Sequence, residues 1–238
     1  MAPLGGGLGR GMAHEGGRIP EWALARPKPL LQHAYDLLGA PLRMVLLPDG
    51  TCERLHLTSL RAERFASVLP QLKGRVLDVG AGDNLLVKTY RAAMGPGDRA
   101  AAESVGVDVV DWGADCVILE SAARMPFPDA SFDTVCFIAC LNHIPERKEA
   151  LQESIRVLRP GGRVVATMIG RLIGKVGHAL WWYSEDKHRD VHEEEEMGLD
   201  DREMLSLLRD AGFRVTRSRG FVYGLNRLYV AELPAARR

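Results

Sequence analysis

Asp78 and Asp108, thirty positions apart, each stand at or near the end of a short apolar run, and two glycines follow the first. In the stretch Arg75 to Asn84, RVLDVGAGDN, the run Val76, Leu77, Val79 breaks into Gly80 and Gly82. Two glycines let such a turn close tightly and leave bare backbone for a ligand to approach. LLVKTYRAAM behind them reads as a helix, whose unpaired N–H groups and positive dipole end suit an anion. The chemistry implied is a cradle for a nucleotide or a carboxylate. Asp108 ends the run SVGVD, where a carboxylate can accept both hydroxyls of a ribose; Asp111 competes for that role. Leu85 occupies the place of the third glycine of the dinucleotide fingerprint, which argues against NAD and FAD, and no GxxxxGK[ST] loop is present.

Other residue types invite weaker readings. His188 and His192 stand four apart beside Glu193 and would share a helix face, yet spacing fixes no further ligand, so a solvated charged stretch is expected rather than a metal site. Trp181, Trp182 and Tyr183 would line the pocket of an aromatic or cationic acceptor, or form core beneath a lid. The acidic run Glu193 to Glu196 reads as a solvated face. Cys52, Cys116, Cys136 and Cys140 form no CxxC pair. Cys136 and Cys140 read as small buried hydrophobes, and nothing asks for disulfides, so a reducing cytoplasm is the expected compartment.

Composition bounds the alternatives. Lys plus Arg equals Asp plus Glu at 31 each, so no overall field draws nucleic acid or an acidic membrane. No apolar run approaches the roughly 20 residues of a membrane span, and the N-terminus shows no signal-peptide core. The 238 residues suffice for one full domain plus a terminal extension, and they leave the oligomeric state open.

The elements that must position these residues follow from periodicity. Residues 1–17 are glycine-rich and are expected to be disordered; 18–70 read as a helical extension or lid, with helices in LLQHAYDLLG and from Thr58 to Leu69. Residues 71–233 read as the main domain. Strands are expected at Val76 to Val79, Ser104 to Val107, CVIL and TVCFIA; helices at Leu85 to Met94 and Glu146 to Leu158. Pro160, Gly161 and Gly162 then stop the helix before the strand RVVATMI. Strands with little internal alternation between helices argue for a parallel sheet covered on both faces, and in such sheets ligands sit beyond the carboxyl ends near the switch in strand order. Asp78, Asp108, Ser121 and Asn142 fall at those ends. The insertion from 171 to 197 is long for a plain connection, as functional lids and substrate walls are. A helix from Leu199 capped by Asp200, then a hairpin about Arg219 and Gly220, complete the chain.

The order VLDVGAG, GVD, MPFPDASFD, LNHIPERKEALQESIRVLRPGGRVV and LLRDAGF resembles the class I S-adenosyl-L-methionine-dependent methyltransferases, and within them the type 11 group acting mostly on small molecules. The resemblance runs from about Leu60 to Leu233. It implies a Rossmann-like three-layer α/β sandwich, its seven-stranded, mostly parallel sheet ending in an antiparallel C-terminal hairpin. It also implies S-adenosyl-L-methionine as cofactor. By that likeness Asp78, Gly80 and Gly82 cradle the methionine half, Asp108 holds the ribose, and Ser121 and Ala122 flank the adenine, with Asn142 also at the cofactor site. The family commonly has an aspartate where Ser121 stands. The span from Asp108 to Val117 is too short for the usual helix, so the loop VVDWG would wall the adenosine with Val109 or Trp112. His143, at the methyl end, is the candidate base or positioning residue. The expected activity is methyl transfer to an O, N or C atom of a small molecule, with a catalytically silent cofactor-binding or regulatory module as the alternative.

Overall fold

A computed structural model describes residues 28–169 and 199–234. The expectations for 1–17, the aromatic trio Trp181, Trp182 and Tyr183, the pair His188 and His192, and the run Glu193 to Glu196 lie outside the described residues.

Strands β1 (Val76–Val79), β2 (Val105–Asp108), β3 (Val117–Ile118), β4 (Phe132–Ile138), β5 (Leu158–Ile169), β6 (Arg214–Phe221) and β7 (Asn226–Glu232) form one sheet in the order β3-β2-β1-β4-β5-β7-β6. β1 pairs in parallel with β2 and β4, β2 with β3, and β4 with β5; β7 runs antiparallel between β5 and β6. Chain order reverses between β1 and β4, which opens a crevice at their carboxyl ends.

Seven helices among the described residues flank the sheet: α1 (Leu30–Leu38), α2 (Asp49–Arg54), α3 (Leu60–Val68), α4 (Leu85–Met94), α5 (Arg99–Ala102), α6 (Arg147–Val157) and α7 (Asp201–Asp210). Their bounds are set by local chemistry. Ser59 accepts from the Ala62 N–H ahead of α3, and Asp200 with Glu203 forms a capping box ahead of α7. Two cores result from the period-two alternation of the strands. Leu77, Val79, Val135, Phe137, Val164 and Ala166 face α6 and α7, while Val76, Cys136 and Val165 face α3 and α4. Each fully buried Leu, Val or Phe contributes roughly 1.5–3 kcal/mol.

Three local expectations are corrected. β5 starts at Leu158 rather than after Gly162, because Leu158 pairs with Phe132 across a register shift before the regular ladder begins at Thr134 and Arg163. The hairpin turns not at Arg219 and Gly220, which sit inside β6, but at Val222, Tyr223 and Gly224, all with positive φ. Of the strand expected at CVIL only Val117 and Ile118 pair, as a short exposed edge. The span between β2 and β3 carries no helix, as its length requires.

Ahead of the sheet, α1, a π-helical turn at Leu42–Leu46 and α2 are tied down by charge rather than by apolar packing alone. Arg43 is 2% exposed. Its Nε donates to the Asp36 carbonyl at 3.0 Å, Nη1 to the Thr58 carbonyl at 2.9 Å and Glu63 Oε1 at 3.1 Å, and Nη2 to the Tyr223 hydroxyl at 3.0 Å. Lys28 joins Asp36 and Glu63 in the same cluster. Because β6 runs parallel to β5, the turn carrying Tyr223 lies at the carboxyl end of the sheet, and Arg43 anchors the N-terminal helices there. Replacing Arg43 by Ala strands buried acceptors, and a stability loss of about 3 kcal/mol is expected in denaturant titration. Arg43→Lys, which keeps the charge but not the fork of donors, is expected to recover only part of it.

Candidate functional site

The turn after β1 is built by backbone first. Gly80 N–H and Ala81 N–H both donate to the Val107 carbonyl, at 2.9 and 3.0 Å, so the end of β1 is clamped to the end of β2. Gly80 has φ +73°, and a Cβ there would sit 2.8 Å from Cys140 Cβ, so the turn lies directly against the segment after β4. Gly82 has φ +55°, and a Cβ there would meet nothing within 4 Å: the space beside it is open. The structure thus separates the two glycines, one needed for packing and the other bordering open space.

Asp108 is 9% exposed, and its carboxylate organises this turn. Oδ2 accepts from the Gly82 N–H at 2.8 Å and Oδ1 from the Val110 N–H at 3.0 Å. Both oxygens are thereby held at the strand end, with lone pairs left for further donors. The competing Asp111 is exposed and accepts from the Gly113 N–H at 2.8 Å. Asp78 is 2% exposed, and its Oδ1 is buried with no hydrogen-bond partner among the described residues. Burial pushes its carboxyl up to about 8, with the charges of Asp108 and Asp83 acting in the same direction.

Asn84, unnoticed among the sequence candidates, takes φ +58° at the start of α4. Its Nδ2 donates to the Asp115 carbonyl, and Gly106 makes room for it, since a Cβ there would lie 2.3 Å from Asn84 Oδ1. The Cys116 thiol donates to the Gly82 carbonyl at 3.6 Å. These two contacts hold the loop 109–116 against the glycine turn, where a helix-free span was expected to wall the pocket. In that loop Val109 is 57% exposed and Trp112 half-buried. The signal for Asn84 was present in GAGDN, since Asn accepts left-handed backbone more readily than most residues. Arg61 of α3 also reaches the turn, pairing with Asp83 at 2.7 Å, so this helix packs on the sheet face and touches the ligand end as well.

On the other side of the crevice, Leu141–His143 forms a short 3-10 turn after β4. Asn142 Nδ2 lies 3.1 Å from His143 Nε2, and the His143 N–H donates to the Cys140 carbonyl at 2.8 Å. Cys140 Sγ donates to the Val79 carbonyl at 2.9 Å, and desolvation holds the thiols of Cys136 and Cys140 well above the ordinary range; Cys136 is buried as expected, whereas Cys140 is only half-buried. After β3, the Leu119 N–H donates to the Asp108 carbonyl at 2.8 Å, which carries Ser121 to the same end of the sheet. The Ser121 hydroxyl donates to Glu146 Oε2 at 3.0 Å and accepts from the Ala123 N–H at 3.0 Å. Ala122 is buried in the α6-side core. The strand ends therefore gather Asp78, Gly80, Gly82 and Asp108 on one side, Asn142 and His143 on another, and Ser121 below the edge.

A doubly covered sheet with one antiparallel strand, a glycine turn at the switch point and an acid closing the second strand are the features that the resemblance to the class I S-adenosyl-L-methionine-dependent methyltransferases implies. Residues 77–166 match the family described as Methyltransferase domain. It is 35% identical over 143 residues to 27-O-demethylrifamycin SV methyltransferase of Amycolatopsis mediterranei, covering 54% of this chain and 51% of that protein. It is 27% identical over 170 residues to the ubiquinone/menaquinone biosynthesis C-methyltransferase UbiE of Bordetella parapertussis, covering 62% of this chain and 65% of that one. The matched regions thus span less than two thirds of either relative. A SAM dependent methyltransferase from Aquifex aeolicus shares the fold, with a TM-score of 0.51, 20% identity, and coverage of 70% of this chain and 88% of that one.

The residues present fit S-adenosyl-L-methionine. Asp78 offers a buried Oδ1, without a partner among the described residues, to an ammonium group, the open space beside Gly82 leaves bare backbone accessible, and Asp108 offers a fixed carboxylate to vicinal hydroxyls. No helix among the described residues is long and apolar enough to cross a membrane.

Proposed function

We propose that this chain transfers the methyl group of S-adenosyl-L-methionine to an O, N or C atom of a small-molecule acceptor. The observation that carries the reading is Asp78: a buried carboxyl, two residues from a glycine turn, whose Oδ1 has no hydrogen-bond partner among the described residues is costly unless a cationic ligand completes it. When bound, the cofactor supplies an electrophilic methyl on a sulfonium. The chain's own task is to hold and orient. Asp78 accepts from the ammonium of the methionine half, Gly80 and Gly82 let the backbone approach it, and Asp108 accepts from the ribose hydroxyls. The tethered loop 109–116, with Val109 and Trp112, walls the adenosine, and Ser121 and Ala122 flank the base. Asn142, at the cofactor site after β4, is coupled to His143, which stands on the acceptor side and aligns the acceptor's lone pair while water is excluded. The names of the two relatives favour an oxygen or a carbon as the atom methylated.

Calorimetric titration with S-adenosyl-L-methionine and with S-adenosyl-L-homocysteine tests the reading: micromolar binding of both supports it, and no binding by folded protein sinks it. His143→Ala is then expected to lower turnover about tenfold or more while leaving cofactor affinity within a factor of two or so, as loss of a proton acceptor does. Equal losses in turnover and cofactor affinity would make His143 a wall of the pocket instead.

A further inference from the structure

Ser121 is the one position where this chain departs from the acid expected beside the adenine, and the structure puts another acid there. Glu146 is 25 residues further along the chain and occupies the position just before α6, where a side chain would ordinarily turn back to cap the helix. It makes no cap bond; its carboxylate, on an exposed residue, accepts instead from the Ser121 hydroxyl at 3.0 Å. Ser121 is also held from behind, by the Ala123 N–H at 3.0 Å, and its chain is tied to the end of β2 by the bond from the Leu119 N–H to the Asp108 carbonyl. The serine is thus a bracket between the β3 side and the β4 side of the cleft, and its proton is directed at Glu146 rather than at a ligand.

We propose that Glu146 is the residue that recognises the exocyclic amino group of the adenine, and that Ser121 positions it. The inference rests on the cofactor reading above and deepens it. An adenine edge presents a donor, the 6-amino group, beside an acceptor ring nitrogen. A serine whose hydrogen is committed to a carboxylate offers that edge only a neutral lone pair. The carboxylate offers an ionised acceptor, and hydrogen bonds to charged groups are about twice as strong as neutral ones. One Glu146 oxygen anchored by Ser121 leaves the other to receive the amino hydrogen. A carboxylate in that place also discriminates: a 6-oxo base presents an acceptor to it, and two acceptors facing each other repel.

The test compares S-adenosyl-L-homocysteine with its 6-oxo counterpart, S-inosyl-L-homocysteine, by calorimetry on the full chain. The unaltered protein is expected to prefer the adenosyl compound by about tenfold or more, the difference a charge-assisted hydrogen bond makes. Glu146→Gln is expected to lose most of that preference, by weakening the adenosyl compound and sparing the inosyl one. Ser121→Ala is expected to lose part of it, and Ser121→Asp placed in the Glu146→Gln background to restore it. Unchanged preference in Glu146→Gln overturns the proposal, as does an equal loss for both compounds, which would mark the pair as a loop tie only. Thermal melting of each variant separates misfolding from lost recognition. If the unaltered protein binds the adenosyl compound without preference, this inference falls and the cofactor reading stands; if it binds neither, both fall.

Discussion

Asp108→Ala is expected to reduce affinity for S-adenosyl-L-homocysteine on the order of a hundredfold, since about 3 kcal/mol is lost when a carboxylate that accepts from two hydroxyls is removed. Two effects add. The ribose would lose its acceptor, and the glycine turn would lose its brace, because the same carboxylate holds the Gly82 and Val110 N–H groups at 2.8 and 3.0 Å. Gly82 and Val110 are both only partly buried, so water can replace the lost partner, and melting is expected to change far less than binding. Asp108→Asn separates the two effects, since its carbonyl oxygen keeps one backbone bond but not the charge. Calorimetry on both variants checks the expectation. Near-normal affinity in Asp108→Ala would shift the ribose role to Asp111, and Asp111→Ala would then have to show the loss.

The second large effect is a trade between function and stability at Asp78. Its carboxyl is pushed up to about 8 in the folded chain, against an ordinary value of 3.8, first by burial and then because Asp108 and Asp83 are negative neighbours. Between those two pH values the folded chain retains a proton that the unfolded chain has released. Stability of the ligand-free protein is therefore expected to fall as pH rises through that window and to level off above it. Asp78→Asn removes the titration, so the decline should flatten and the variant should be the more stable form near pH 8. Its cofactor affinity should drop about tenfold or more, because a neutral amide replaces the ionised acceptor of the ammonium. Denaturant titrations at several pH values check the first part. In the unaltered protein, an ammonium beside Asp78 restores the ionised carboxylate, so binding near pH 7 should release a proton into the buffer. Calorimetry in two buffers of different ionisation enthalpy measures that release, and its absence would mean that Asp78 meets the cofactor without changing its protonation.

These variants also bear on the alternative of a silent cofactor-binding module. Such a module would share the binding losses of Asp108→Ala and Asp78→Asn, whereas only an active enzyme can show the turnover loss of His143→Ala. The two readings therefore separate on kinetics and not on affinity.

Much of the frame is local physics, and the sequence by itself determined it. The helix from Leu85 to Met94 has the expected bounds, because a glycine turn precedes it and Gly95 with φ +80° closes it. Asp200 caps α7 as its residue type and the Glu three positions on require. The apolar runs of β1, β2 and β4 announced a doubly covered sheet, and the placement of Asp78 and Asp108 at strand ends followed from where those runs stop. Only the tertiary structure decided what those residues face. The Glu146 contact with Ser121 joins positions 25 apart and the Arg43 contact with Tyr223 joins positions 180 apart, and neither has a signature in spacing. The hairpin turn moved to Val222–Gly224 because pairing register between β6 and β7, not the glycine at 220, sets where the chain reverses. Likewise the Asp108 carboxylate meets the Gly82 N–H, while Asp78 Oδ1 meets no partner, because β2 lies directly beside β1 and the chain order reverses on β1's other side. Strand order is a property of the whole sheet, and burial, charge and accessibility at the site are inherited from it.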